Sequence, residues 1–182
     1  MTGKWYNFPM KAGKKPMYKV NDIVVYRRDV CKVVGKHRSD FTGEMCYDLI
    51  PYLKQDGSVK MQVPVSNKAG NLRDLITEEE IQQLIKDTPD IETLENKPAN
   101  MKSQYAALLK GNDVADLVRI IKTSYGRNQA RLEQHKKLAS IDDEYLKKAE
   151  KYLYDEISVA LGMTYDEAKK HFEDEVAKLT GE

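Results

Sequence analysis

From Tyr18 to Val65 the apolar positions recur with a period of two, and from Thr77 onward they recur at helical spacing. In the first stretch Val20, Ile23 and Val25, then Val30, Val33 and Val34, mark short β-rich runs bounded by Asn21-Asp22 and Arg27-Arg28-Asp29. Tyr47 to Leu53 and Val59 to Val65 are two more, with Asp56-Gly57 as a hairpin signal between them and Ser39-Asp40-Phe41-Thr42-Gly43 as a further turn. Four or five short strands without an intervening helix predict a small antiparallel β-barrel of SH3 or Tudor type.

The second stretch predicts helices with legible ends. Thr77 with Glu80 is a capping box opening a helix from Glu78 to Lys86, and Thr164 with Glu167 opens a last helix reaching about Leu179. Between them, Met101, Tyr105, Leu108 and Leu109 form one stripe, and Gly111-Asn112-Asp113 stops that helix and caps the next. The next helix carries Val114, Leu117, Val118, Ile121, Tyr125 and Leu132 on one side, with Gly126 placed to bend or end it. Ser140 or Asp142 is the expected cap of a further helix with Tyr145, Leu146, Ala149, Leu153, Ile157 and Leu161 inward, closed by Gly162. The fold class is therefore α+β, a small antiparallel barrel followed by a compact all-helical domain. The expected divisions are a flexible basic tail at 1–17, the barrel at 18–76, a helix and proline-containing linker at 77–99, and the helical domain at 100–182.

Charge adds a functional hint to this plan. The 182 residues carry a net charge of only +1, yet Arg119 to Lys137 holds six Lys or Arg against the single acid Glu133. A helix packed by one face must solvate the other, so residue pattern alone leaves solvation and phosphate contact both open. No apolar run approaches the roughly 20 residues that cross a bilayer, and Met1 to Pro16 has no apolar core of a secretory signal, so a cytoplasmic protein without membrane contact is expected. Cys31 and Cys46 lie in strand-like runs without metal-ligand spacing and read as reduced, buried small hydrophobes. No nucleophile, phosphate-loop or metalloprotease motif is present, and His37, His135 and His171 are scattered. The expectation is a binding protein rather than an enzyme, with no catalytic residue, metal or cofactor.

Taken together, these segments resemble the CarD family of bacterial RNA polymerase-binding transcription regulators, whose N-terminal domain is shared with transcription-repair coupling factors. The residues that carry the likeness are Tyr18-Lys19-Val20-Asn21-Asp22-Ile23-Val24-Val25-Tyr26, Val30-Cys31-Lys32-Val33-Val34, Val63-Pro64-Val65 with Asn67, and Leu72-Arg73-Asp74-Leu75. In the second half they are Leu117 to Lys122 and Leu146 to Glu156. The resemblance implies a Tudor-like barrel that adds a strand edge to the polymerase β subunit, and a helical domain that holds promoter DNA near the upstream edge of the bubble. On it, Met61, Gln62, Val63, Pro64 and Val65 are the polymerase-binding edge; Pro64 cannot donate to a ladder, which suits an edge. Asn100, Met101, Lys102, Arg119, Lys122, Arg127, Arg131, Lys136 and Lys137 are the expected DNA contacts, positioning without base readout, in a monomer.

Three departures from the family pattern stand out. Asp29 replaces a glycine in a loop one residue shorter, Gln62 stands where some relatives have an arginine, and Met101 stands where the best-studied branch has a wedge tryptophan. The basic residues after that tryptophan are Ser103, Gln104 and Ala106 here, so the resemblance implies weak DNA binding that relies on the polymerase for local concentration.

Overall fold

The computed structural model describes residues 17–54, 57 and 59–181; of the tail expected at 1–17 only Met17 falls within them, and Asp56 of the expected hairpin signal lies outside. The alternating stretch forms β1 (Ile23–Tyr26), β2 (Asp29–Arg38), β3 (Met45–Pro51), β4 (Met61–Pro64) and β5 (Leu72–Asp74). They make one antiparallel sheet in the order β4-β3-β2-β1-β5. Val24, Cys31, Val33, Tyr47, Leu49, Val63 and Leu72 fill its core. The closed barrel expected from the sequence is corrected here: β4 and β5 stand at opposite margins and the sheet is open. Both thiols are buried and free. Cys31 lies opposite Pro51 and Cys46 opposite His37, so neighbouring strands do not bring them together.

Two local devices shape the sheet. Tyr26 pairs with Asp29, leaving a two-residue turn in which Arg27 (φ 47°) and Arg28 (φ 74°) are both left-handed. Such a turn matches strand twist but is costly for residues with a Cβ, and it turns Arg28 inward, where it is 3 % exposed. In β2 the register shifts between Val33 and Gly35, and a Cβ on Gly35 would stand 3.0 Å from the Asp48 carboxylate.

The helices are α1 (Glu78–Asp87), α2 (Met101–Lys110), α3 (Val114–Glu133), α4 (Ser140–Leu161) and α5 (Tyr165–Thr180), with short 3-10 turns at Thr88–Asp90 and Pro98–Asn100. Both capping boxes form, each Thr hydroxyl accepting from the third-residue amide while the Glu side chain accepts from the Thr amide. Asp113 caps α3 by accepting from Ala115 N, and Gly162 ends α4 at φ 65°. The start of α4 differs from expectation, because Ala139 holds the cap position without a side-chain bond and Asp142 points into the core.

One helical core joins Ile76, the Ile81, Leu84 and Ile85 side of α1, Met101 and Tyr105 of α2, Leu117, Val118 and Ile120 of α3, and Leu153 and Ile157 of α4 with Phe172 of α5. The apolar stripe expected on α3 is correct in its first half only. Past Ile120 the buried residues are Thr123, Ser124 and Asn128, while Tyr125 and Leu132 face solvent. The reason is close packing: Ser124 donates to its own helix at Ile120 O and Asn128 accepts from Ala139 N, so small and bonded side chains line the approach to α4. Gly126 does not end α3, which runs on to Glu133. The helix ends at Glu133 and is closed by the left-handed His135 (φ 55°) two residues on, with Lys136 N donating to Arg131 O and His135 N to Leu132 O.

Candidate partner edge and nucleic-acid interface

The two margins of the sheet differ in how their backbone groups are used. At β5, the Asn67 side-chain amide donates to Leu72 O at 2.8 Å and accepts from Leu72 N at 3.1 Å, occupying both groups. The helical unit then takes the next residues: Arg73 forms a two-pronged pair with Glu156 at 2.6 and 2.8 Å, and Ile76 N donates to the same carboxylate.

At β4 the pairing leaves a different outcome. Val65 N donates to Met45 O, which makes Met45 and Val65 a hydrogen-bonded pair, and alternation gives Tyr47–Val63 and Leu49–Met61 the same status. Gln62 and Pro64 are then the outward residues. Pro64 faces the free margin, where its missing N–H costs no bond to β3, and Gln62 supplies both a donor and an acceptor there. The side chains follow the same alternation, Val63 being buried while Gln62 and Pro64 are exposed.

Sheet and helices are joined by buried polar contacts. The Arg28 guanidinium donates to Leu108 O (2.9 Å), Leu109 O (3.3 Å) and Asp113 O (2.7 Å), capping the carbonyl end of α2 with a positive charge. Arg73 Nε also donates to Asn112 O, and Asn112 Nδ2 to Gly70 O. Nothing in the periodicity signalled these partners. The only local sign was a pair of arginines sitting in a two-residue turn.

The expected DNA-contacting residues divide into two sets. Met101, expected as a surface wedge, is corrected: it is 1 % exposed in the helical core, because the spacing that sets it one turn from Tyr105 points both inward. Lys122 and Arg127 are engaged within the protein. Lys122 Nζ donates to Thr88 O, Pro89 O and Ile91 O, closing the carbonyl end that follows α1, and desolvation lowers its pKa. Arg127 pairs with the fully buried Asp142 at 3.0 Å and also contacts Asn96. Tyr105 donates to the same Asp142 at 2.6 Å, and burial followed by that bond holds its hydroxyl far above the ordinary phenol range. Arg119 is partly buried, with its Nε unpartnered.

The second set remains at the surface. Lys102 is exposed beside the start of α2, and Lys136 and Lys137 are exposed in the loop between α3 and α4. Arg131 is half-buried and donates through Nε to Lys137 O. These four share one end of the helical unit: Lys102 is one turn before Tyr105, which bonds Asp142 at the start of α4, and the 134–139 loop leads into that start. Asn100 precedes them, exposed, without a side-chain cap bond. The sheet docks at the opposite end, at Leu108, Leu109 and Asp113.

Among the described residues no group of three or more His, Cys, Asp and Glu is placed to hold a metal, and no helix is long and apolar enough to cross a membrane. No protein-family model matches the chain, and no curated protein matches it.

Proposed function

We propose that the chain is a transcription regulator of the CarD type, in which the β4 edge adds to a strand of the RNA polymerase β subunit and the helical unit meets promoter DNA through phosphate contacts. The observation that carries this reading is the contrast between the two margins of the sheet: Asn67 and the helical unit occupy one, and among the described residues Gln62 turns a main-chain donor and acceptor outward at the other. Strand addition draws on main-chain bonds, so replacing the arginine of some relatives by Gln62 leaves its principal chemistry intact. The open sheet acts as a Tudor-like module whose missing closure is what frees the margin.

The DNA side rests on Lys102, Arg131, Lys136 and Lys137, at the end of the helical unit away from the sheet. Phosphate contacts position without reading bases, so no sequence consensus is expected. With roughly four such contacts, the logarithm of affinity should fall with the logarithm of salt at a slope of about −3 to −4. Regulation follows from unequal binding to closed and open promoter states. In this reading the protein is a cytoplasmic monomer, needs no cofactor and catalyses nothing.

A protein-only adaptor is the second reading, favoured by the internal engagement of Lys122 and Arg127 and by a net charge of only +1. Two measurements separate them. Retention on immobilised polymerase of the source organism is expected in the first, and failure to be retained would end it. Salt titration on forked DNA, with polymerase present, should return the slope above; a flat response would leave the adaptor.

A further inference from the structure

We infer that the segment from Thr88 to Lys97 is an autoinhibitory strap: it withholds Arg119 and Lys122 of α3 from phosphate, and its displacement exposes a second nucleic-acid backbone surface on the helix that carries the basic tip. This deepens, and rests on, the DNA half of the reading above. The strap leaves the 3-10 turn at Thr88–Asp90, runs from Ile91 to Lys97 without helix or strand, and enters the turn at Pro98–Asn100.

Side chains of α3 hold it in place. Lys122 Nζ donates to Thr88 O, Pro89 O and Ile91 O at 2.8, 3.2 and 2.6 Å, Thr123 Oγ1 accepts from Leu94 N at 2.9 Å, and Arg127 contacts Asn96. Gln104 of α2 adds a bond to Glu95 O at 3.3 Å, and Ile91 and Leu94 are only partly buried against the helical core. The strap is thus tied down chiefly by polar contacts to a basic helix.

Arg119 shows what the closed strap leaves unmet. It lies on the same face as Lys122 and Thr123, one turn earlier, and Thr123 Oγ1 donates to its carbonyl while accepting from Leu94 N. Its Nε is buried without a hydrogen-bond partner among the described residues. A buried guanidinium N–H without an acceptor is costly, and a phosphate oxygen would supply one. Lys122 would likewise exchange neutral carbonyls for an anion, which makes the stronger bond. The strap itself repels phosphate: Asp90, Glu92 and Glu95 are exposed along it, and its one cation, Lys97, pairs with Glu95 at 2.8 Å. While it is closed, DNA is confined to the tip.

The full chain is compared with Thr123→Val, Leu94→Gly and the two combined, each checked by circular dichroism for unchanged helix content. Peptide mass spectrometry reads how fast a water-soluble acetylating reagent modifies Lys122 relative to the exposed Lys136, and salt titration on forked DNA with polymerase present reads binding. In the unaltered chain Lys122 should react roughly 10-fold more slowly than Lys136, and in the variants its rate should rise toward that of Lys136 as the strap opens. The same variants should bind DNA roughly 10-fold more tightly, with a log–log salt slope steeper by about 1 to 2 for one or two added phosphate contacts. Adding Lys122→Met and Arg119→Gln to them should remove that gain. Equal reactivity of Lys122 and Lys136 in the unaltered chain, or a Lys122 that stays unreactive in every variant, overturns the strap. So does an uncovered Lys122 with affinity and slope unchanged, which leaves DNA binding at the tip standing. No DNA binding by the unaltered chain or by any variant removes the DNA reading and this inference together.

Discussion

Met101 is the residue at which two readings of one position compete. Helical spacing placed it beside Tyr105 as a core residue, and family resemblance placed it at a DNA wedge; burial to 1 % decides for the core. Met101→Ala should therefore destabilise the chain by about 2–5 kcal/mol, the range for emptying a packed aliphatic site. A surface residue would change stability by about 0.5 kcal/mol or less, so a denaturant midpoint separates the two. Tyr18, Tyr105 and Tyr154 offer a second test at this scale. Burial raises all three above the ordinary phenol range, helped in Tyr18 and Tyr105 by donation to Asp74 and Asp142. A raised folded-state pKa means that the unfolded chain releases its proton first as pH rises, so this contribution to stability is intact below about pH 10 and lost above it. Tyrosinate absorbance should accordingly appear for these rings only together with the loss of native structure; smooth ionisation of every tyrosine before unfolding would contradict the burial.

Elements whose signals are local were legible in the sequence. Thr77 with Glu80, Thr164 with Glu167, Asp113 and Gly162 each act within a turn of their own position, and each holds the cap or stop expected of it. The second half of α3 was not legible, because a period gives a stripe but not which neighbour covers it; small bonded residues meet α4 there and Tyr125 is left outside. Barrel closure failed for a related reason. Strand signals do not say whether the last strand meets the first, and here a side chain, Asn67, completes Leu72 instead of a strand. Asn67 is left-handed (φ 46°), so Asn67→Gly removes the amide while relieving the backbone. Unfolding free energy should fall by about 1–3 kcal/mol for the unmade bonds to a buried strand end. No change would mean that water completes this margin equally well.

For the whole molecule, contacts distant in sequence make one body of sheet and helices. Arg73 and Glu156 are 83 positions apart and Arg28 reaches Asp113 across 85, separations at which no motif or period carries a signal. Because Glu156 is 1 % exposed, Arg73→Met leaves a buried carboxylate without its partner and should cost about 3–5 kcal/mol. The double change Arg73→Met with Glu156→Leu should recover much of that, and an additive loss would show that the pair is not coupled. With the units fixed in this way, the 20 residues of α3 hold the basic end about 30 Å from the Arg28 contact, so an open sheet margin and a basic tip keep a set spacing. Gln62 lies at that open margin, and on the proposed reading a partner strand is what pairs its main chain. Amide hydrogen exchange resolved at single residues, with and without polymerase β subunit, tests it most directly. Val63 and Val65 should be protected throughout, and the Gln62 amide should exchange rapidly in the free chain and slow strongly in the complex. A Gln62 amide already protected in the free chain, or one that exchanges as fast in a saturated complex, would contradict it.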